Sequence, residues 1–404
     1  VESFLPYAAE FGFFLNTERF QQSVYPTSVD TVEPLPALLA AVCLWGTHLS
    51  NVEELSRQEP TYLTQVLNNL ATSLTQDHPR KVIHTIQAEV LLSTYFFRMQ
   101  RPLEGQYHVG AAGALALSAQ LHKAGSSFGG ASNHLGLSLD AVQEEERIRA
   151  FWEVYNLSVC WSTNGGFTSN IGADNIAQID TPWPSDNLSL NDAFSLRGHT
   201  LLEFPTLIFA DCLPNPSAKA LHAQAVFLYE SAIILARQFH LDMTHSDSDA
   251  FIAVFNSHNQ LLDQFKNLLP VPTELHDPQT TRTLLLAHTL AHVAVIRLNE
   301  ILGEGNAALR YKYVTSVEAV VNIYDSSRVE ELGFFNPICA TLWTTVTTVL
   351  ISTLDSIRAL RASIPAVCGE HVCVAREDDV EASLEKALSI MALISLDCPL
   401  MCTS

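Results

Sequence analysis

Apolar side chains recur every three to four residues along almost the whole chain, and alternation of period two is nearly absent over any useful length. That spacing puts them on one face of α-helices, so the pattern predicts an all-α fold. Leu38, Leu39, Val42, Trp45 and Leu49 make a first stripe, and Val82, Ile83, Ile86, Val90 and Phe97 a second. The second stops at Arg101-Pro102, where proline ends one helix and suits the first turn of the next. The following helix, expected from about Glu104 to His122, carries Gly105, Gly110, Ala111, Gly113, Ala114, Ala116 and Ala119. Small side chains let helix axes approach closely, so the two segments should pack as a tight antiparallel hairpin.

Residues 125–138 are rich in Gly, Ser and Asn and read as a loop. Asp140 then offers a cap to a helix with Gln143 three residues on, and Ile148, Phe151, Trp152, Tyr155 and Val159 fall on one face. Asn164-Gly165-Gly166 ends that helix, and an irregular stretch runs to Pro182-Trp183-Pro184. Four further stripes follow: Leu221 to Phe239, Phe251 to Leu269, Leu284 to Leu302, and Tyr313 to Tyr324. Pro337 to Leu354 holds no charge but seven Thr or Ser residues; it predicts a central helix, capped by Asn336 and buried on most sides by other helices. A loop from about Ser363 to Asp379 should lead to a last stripe through Leu384, Leu388, Met391 and Ile394.

Composition narrows what such a body does. The chain has 404 residues, with 43 Asp and Glu against 22 Lys and Arg, a net charge of −21. A surface that neutralises phosphates needs clustered cations, so direct contact with nucleic acid by this chain is disfavoured, as is attraction to anionic membranes. Only 16% of residues are charged and 48% are hydrophobic, against roughly 25% charged in ordinary domains, which requires a large buried core. The eight cysteines lie mostly in apolar runs, and neither Cys368 with Cys373 nor Cys398 with Cys402 has zinc-knuckle spacing. Asn156-Leu-Ser158 and Asn187-Leu-Ser189 match the glycosylation pattern without a secretory signal to give it meaning.

Chemistry has few candidate homes. His288 and His292 sit one turn apart, with Thr289, Leu290 and Ala291 between them instead of a metalloprotease glutamate, and read as packed histidines. Gly303-Glu-Gly305-Asn-Ala-Ala308 imitates a dinucleotide fingerprint but follows a helix where that motif needs a strand. Asp378-Asp379-Val-Glu381 is the nearest match to a magnesium-binding carboxylate set and reads as a solvated helix start. No nucleophile elbow or phosphate-binding loop occurs. An enzyme is therefore not expected, and no cofactor or metal is assigned to the chain.

Three passages, in order, resemble the regulatory middle region of fungal binuclear zinc-cluster transcription factors. They are Phe4-Leu-Pro-Tyr7 through Phe20; Ile86 to Tyr95 followed by Gly105 to His122; and Glu145-Glu-Arg147-Ile-Arg-Ala-Phe-Trp152-Glu-Val-Tyr155 with a Gly turn and a descent to Pro184. The positions that carry the resemblance are Gln87, Gly105, His122, Arg147, Trp152, Gly165 and Pro184. The chain departs from the family pattern at Cys160-Trp161-Ser162, at Asn164 to Phe167, at Arg147-Ile-Arg149 and at Phe151. The resemblance implies a large multi-helix regulatory domain built from antiparallel helical hairpins, with residues 1–185 as its core and 186–404 as a C-terminal helical part on the same body. It implies that a DNA-binding zinc cluster lies upstream of Val1, with zinc only there, in a nuclear protein. It also implies homodimers, transcriptional co-regulators as partners and room for a small-molecule effector. A helical-repeat interaction scaffold and a metal-dependent all-α enzyme are the alternatives.

Overall fold

The computed structural model describes residues 1–25, 32–124, 135, 140–166, 169, 171, 178–185, 201, 203–209, 216–240, 242–272, 276–303, 305–363, 370–395 and 400. All regular elements among these are helices, so the chain is all-α. It divides into two compact units, Val1–Leu207 with Leu213–Ala220, and Ile208–Cys212 with Leu221–Ser404.

The first unit opens with a 3₁₀ turn, Leu5–Phe11, then α1 (Thr17–Val24), α2 (Pro36–His48), α3 (Glu53–Ser56), α4 (Glu59–Leu70), α5 (Lys81–Arg98), α6 (Pro102–Ser118) and α7 (Ala141–Gly165). Its centre is α5, buried without interruption from Ile83 to Arg98 and packed against α2, α4, α6 and α7. A helix covered all round cannot show a clean stripe, which explains why its polar positions Gln87, Glu89 and Ser93 lie inside. Contacts between α5 and α6 run from Phe97 against Gly105 to Glu89 against His108, the order of an antiparallel pair. Pro102 starts α6 as anticipated, with Gln100 left-handed (φ 57°) in the turn before it.

The end of α6 differs from the expectation. The helix stops at Ser118 and not at His122, because Gln120 turns left-handed (φ 58°) and Leu121–Lys123 form a separate 3₁₀ turn. That turn frees the Leu121 and His122 carbonyls, which accept from Thr181 Oγ1 (2.5 Å) and the Asp180 amide (3.0 Å). The side chain of Asp140 caps α7 by accepting from the Gln143 amide at 3.0 Å. Gly165 is the last helical residue of α7, and the left-handed position belongs to Gly166 (φ 69°), which a side-chain-bearing residue would strain. Asn156 is buried within α7, so the folded chain offers no glycosylation acceptor there; Asn187 and nearly all of the 125–138 loop lie outside the described residues.

A short helix, α8 (Phe204–Phe209), precedes α9 (Ala218–Gln238), α10 (His245–Leu268), α11 (Pro278–Gly303), α12 (Ala307–Asp325), α13 (Ile338–Ser363) and α14 (Glu370–Ser395). In the second unit α11 is the central helix, packed on α10, α12 and α13. By length and apolar content alone both α11 and α13 could span a membrane, but they are 83% and 61% buried within the protein. The central place expected for the Thr-rich helix thus belongs to α11. The Thr-rich α13 is mostly buried as far as Leu350, apart from exposed Thr348, and then turns Ile351, Ser352 and Asp355 to solvent, while Thr344, Thr347 and Thr348 return their hydroxyls to carbonyls of the preceding turn.

The last helix also begins earlier than expected. Residues up to Asp379 read as loop by composition, yet α14 starts at Glu370. Asp378-Asp379-Val-Glu381 therefore lies inside a helix, not at its solvated start. Glu377 accepts from Arg358 Nε (3.0 Å) and Arg361 Nη1 (2.5 Å), and Glu381 pairs with Arg358. These ion pairs hold α14 to α13 and account for the longer helix.

Candidate functional site

Polar side chains buried in unit 1 tie its separate passages into one core. Gln87 is fully buried on α5 and hydrogen-bonds the N-terminal segment: its Oε1 accepts from the Phe14 amide (2.8 Å), and its Nε2 donates to the Gly12 carbonyl (2.9 Å). In the same N-terminal segment the rings of Phe4 and Phe11 pack on Trp45, with Phe11 stacked on it at 4.0 Å and Phe13 edge-on against Phe4. The Trp45 indole donates to the Leu91 carbonyl at 3.0 Å, which joins α2 to α5.

Next to this aromatic cluster lies a charged network. Glu59 accepts from Tyr95 (2.7 Å) and meets His48 (3.0 Å), whose other ring nitrogen accepts from Arg98 Nε at 2.9 Å. Burial pushes the Glu59 carboxyl up, but the hydrogen bonds from His48 and Tyr95 and the charge of Arg98 outweigh it and leave the group below its ordinary value. On the other face of α5, Glu89 and His108 form a buried pair at 2.6 Å. Nothing in helical periodicity marks these residues, because each looks like a solvated position until its partner from a distant helix is known.

Gly105 is required by contact. A Cβ there would lie 2.7 Å from the Phe97 ring, which is itself stacked parallel to Trp161 at 4.0 Å, and the Gly105 carbonyl accepts from Ser93 Oγ at 2.8 Å. The start of α7 works as a clamp. Glu146 pairs with Arg80 and accepts from the Asn16 amide at 2.8 Å. Glu145 accepts from Arg149 Nε (2.8 Å) and from the Ser185 amide (3.0 Å), while Arg149 also donates to the Ser185 carbonyl at 2.8 Å. Burial raises the Glu145 carboxyl, and Arg149 and the Ser185 amide offset part of that. Arg147 donates to the Leu135 carbonyl at 3.3 Å and is held below its ordinary value by burial.

Trp152 donates its indole N–H to the Pro182 carbonyl (2.6 Å) and stacks on Trp183 at 4.4 Å. Pro184 is buried and accepts from Ser217 Oγ at 2.5 Å. His122 is half-buried and held below its ordinary range by burial and Lys123. The structure thus brings Gln87, Gly105, Arg147, Trp152 and Pro184 into one continuous packed body, with His122 and Gly165 at turns on its margin.

The sequence model described as the fungal specific transcription factor domain matches residues 4–270, two thirds of the chain. The chain belongs to that family. The match runs beyond Pro184, where the resemblance legible in the motifs stops, through α9 and α10. No curated protein and no solved structure matches the chain. In this fungal transcription factor regulatory domain, the core of unit 1 holds Glu89, Glu145 and Glu146 in ion pairs, with no group of three metal-ligating side chains among the described residues. His288 and His292 stack at 6.4 Å, and His288 Nε2 meets the Pro270 carbonyl at 3.0 Å, the arrangement of packed histidines.

Unit 2 adds a feature that sequence reading missed, an open cleft of about 510 Å³ between the start of α11 and the turn after α12. It has no sequence signature because its lining comes from separate stretches around Pro272, Pro278, Ser326 and Glu331. Arg328, on its wall, holds a left-handed backbone (φ 42°, ψ 55°).

Proposed function

We propose that this chain is the effector-sensing or protein-interacting part of a nuclear transcription factor, and that it controls a DNA-binding zinc cluster carried upstream in the same protein. The family match over residues 4–270 carries this reading. Three features support it. The net charge of −21 disfavours DNA contact by this chain itself. The core of unit 1 ties segments distant in sequence to α5, so a partner that shifts one of them must shift the others or break buried hydrogen bonds. The cleft in unit 2 has the size of a small-molecule site. Two copies of this body would pair two DNA-reading clusters with two half-sites, and its outer surface would recruit co-regulators. The reading assigns it no catalytic step and no metal.

The test is to fuse the chain to an unrelated DNA-binding domain and follow a reporter gene in yeast. Reporter output should differ from that of the DNA-binding domain alone and should change with growth condition. Output equal to that of the bare domain under every condition would count against the proposal. Reading the gene ahead of Val1 gives a second check, since six closely spaced cysteines beside basic residues are expected there.

A further inference from the structure

Helix α6 packs on α5 and α7 with one side and leaves another open to solvent. On the open side Leu103 and Tyr107 are each 72% exposed, the two most exposed large apolar side chains among the described residues. Half-buried Ala111 and exposed Ala114 and Ser118 continue this face toward the end of the helix. Steps of four, four, three and four residues keep all five on one side. None of them carries a charge. Glu104, next to Leu103, is held by Arg101 at 2.8 Å, and the Tyr107 ring stands edge-on to His108 at 5.0 Å. Gln106 and Gly110 lie on the flank of this face and have partners within the chain.

The face is uneven along its length: its first half carries the bulky residues and its second half the small ones. A parallel second copy would set Leu103 on Leu103 and Tyr107 on Tyr107 and leave a gap over Ala114 and Ser118. In an antiparallel copy, the register that puts Leu103 over Ser118 also puts Tyr107 over Ala114, with Ala111 beside the two-fold axis. Each bulky side chain then meets a small one, and the helices can approach closely. The face is thus complementary to itself under a two-fold rotation, which is the requirement of a closed dimer. Charge favours the same occupant. Two chains of net charge −21 repel over their general surface, but here they meet on a face without carboxylates and with opposed helix dipoles. We infer that α6 is the self-association surface of this chain and pairs antiparallel with α6 of a second copy. A helix pair about 25 Å long lies at the small end of specific interfaces, below roughly 1,200 Å², so the dimer is weak by itself, with a Kd of about 10–100 µM. Two copies held on neighbouring DNA half-sites meet at about millimolar effective concentration, which closes it. This names the dimer surface of the proposed function and rests on that reading for its biological meaning.

The test is sedimentation equilibrium of the 404-residue chain from about 1 to 300 µM, which brackets that Kd. The mass should rise from monomer to dimer. Leu103→Glu and Tyr107→Glu each exchange an exposed side chain, so the urea midpoint should hold. Kd should rise at least about tenfold, because each change puts two carboxylates into a desolvated contact. Ala114→Gln fills the space that Tyr107 of the other copy takes and should weaken association by a similar factor. Orientation is read by cross-linking under mild oxidation, with the parent chain and its own eight cysteines as the blank. Ala111→Cys should give a disulfide-linked dimer and Leu103→Cys should not, since its two copies lie about 22 Å apart in the antiparallel pair. A chain that stays monomeric throughout leaves this face to a different protein and overturns the assignment. So does a dimer that tolerates all three substitutions, or cross-linking by Leu103→Cys in place of Ala111→Cys. Association is read on the chain itself, so its failure is separable from that of the regulatory reading. A dimer broken by Tyr107→Glu with an unchanged reporter upholds the surface and counts against its part in control; a responsive reporter from a monomeric chain does the reverse.

Discussion

Two buried positions on facing helices show how single residues specify the core of unit 1. Gln87 is the only link among the described residues between α5 and the backbone at Gly12 and Phe14 that uses both ends of one amide. Gln87→Ala leaves a buried amide N–H and a carbonyl unpaired, and each costs about 1–3 kcal/mol. The expected loss is about 2–4 kcal/mol, read as a lower urea midpoint. Gln87→Glu should do worse, since it keeps the acceptor but loses the donor to Gly12 and buries a charge. At Gly105 the conflict is steric. Gly105→Ala gains roughly 1 kcal/mol of helix propensity but drives a methyl into a ring that Trp161 prevents from moving, so a net loss of about 1–2 kcal/mol is expected. Adding Phe97→Leu should recover part of that loss; if the two changes are simply additive, the contact is not the cause. Both positions were legible as motif residues, but their reasons were not. A sequence shows that a glycine or glutamine stands in a helix, and only the facing element shows why.

Helices were easier to foresee than their ends. The stripes through Trp45, Ile86, Trp152 and Leu284 all lie in helices with the predicted faces inward, because burial of a periodic face is a local property. The misplaced boundaries at Ser118 and Glu370 depend on partners far along the chain: Thr181 and Asp180 for the first, Arg358 and Arg361 for the second. The head of α7 illustrates the same dependence in energy. Glu146 is nearly inaccessible and holds Arg80 and the Asn16 amide, whereas Asp140 and Arg19 pair at 2.9 Å with both side chains 41% exposed. Removing one partner of a buried pair costs about 3–5 kcal/mol, and a wet pair contributes about 0–1 kcal/mol. Arg80 stays partly hydrated, so Glu146→Gln should cost about 2–4 kcal/mol and Asp140→Asn, which keeps a helix cap, less than about 1 kcal/mol. Urea unfolding of the two variants in low and high salt checks the contrast: the Glu146 effect should persist in salt and the Asp140 effect should fade. Equal losses would show that burial does not set the strength of this clamp.

For the chain as a whole, the acidic composition and the buried histidines pull stability in opposite directions as pH falls. Carboxylates at their ordinary pKa gain protons only below about pH 4.5, which relieves the repulsion of a −21 surface late in acidification. Histidines act earlier. Burial holds His84 well below 6.5, lowers His258 and His288, and takes His292 to about 3, where Lys266 and His288 add to burial and Asp263 opposes it. These rings are neutral in the fold near neutrality, and the unfolded chain binds their protons first as pH drops through about 6.5. The stability they contribute is complete above that value and is lost progressively toward each folded-state pKa, at up to about 1.4 kcal/mol per pH unit for each ring. Glu153 has the opposite sign: raised to about 7 by burial, with Glu10 adding to the shift and Lys219 opposing it, it favours the fold as pH falls from 7 toward 4.5. Glu145 and Glu318 are raised by burial in the same sense, but the lowered histidines, which also include His122 and His222, outnumber these carboxylates and leave a net loss, so the urea midpoint should fall steadily between about pH 6.5 and 5. His292→Leu removes a ring whose buried Nδ1 has no hydrogen-bond partner, and it should remove about one proton's worth of that slope without lowering stability at pH 7. Midpoints measured at half-unit steps decide the matter, because a variant whose slope matches the parent's would mean that His292 is already protonated in the folded chain.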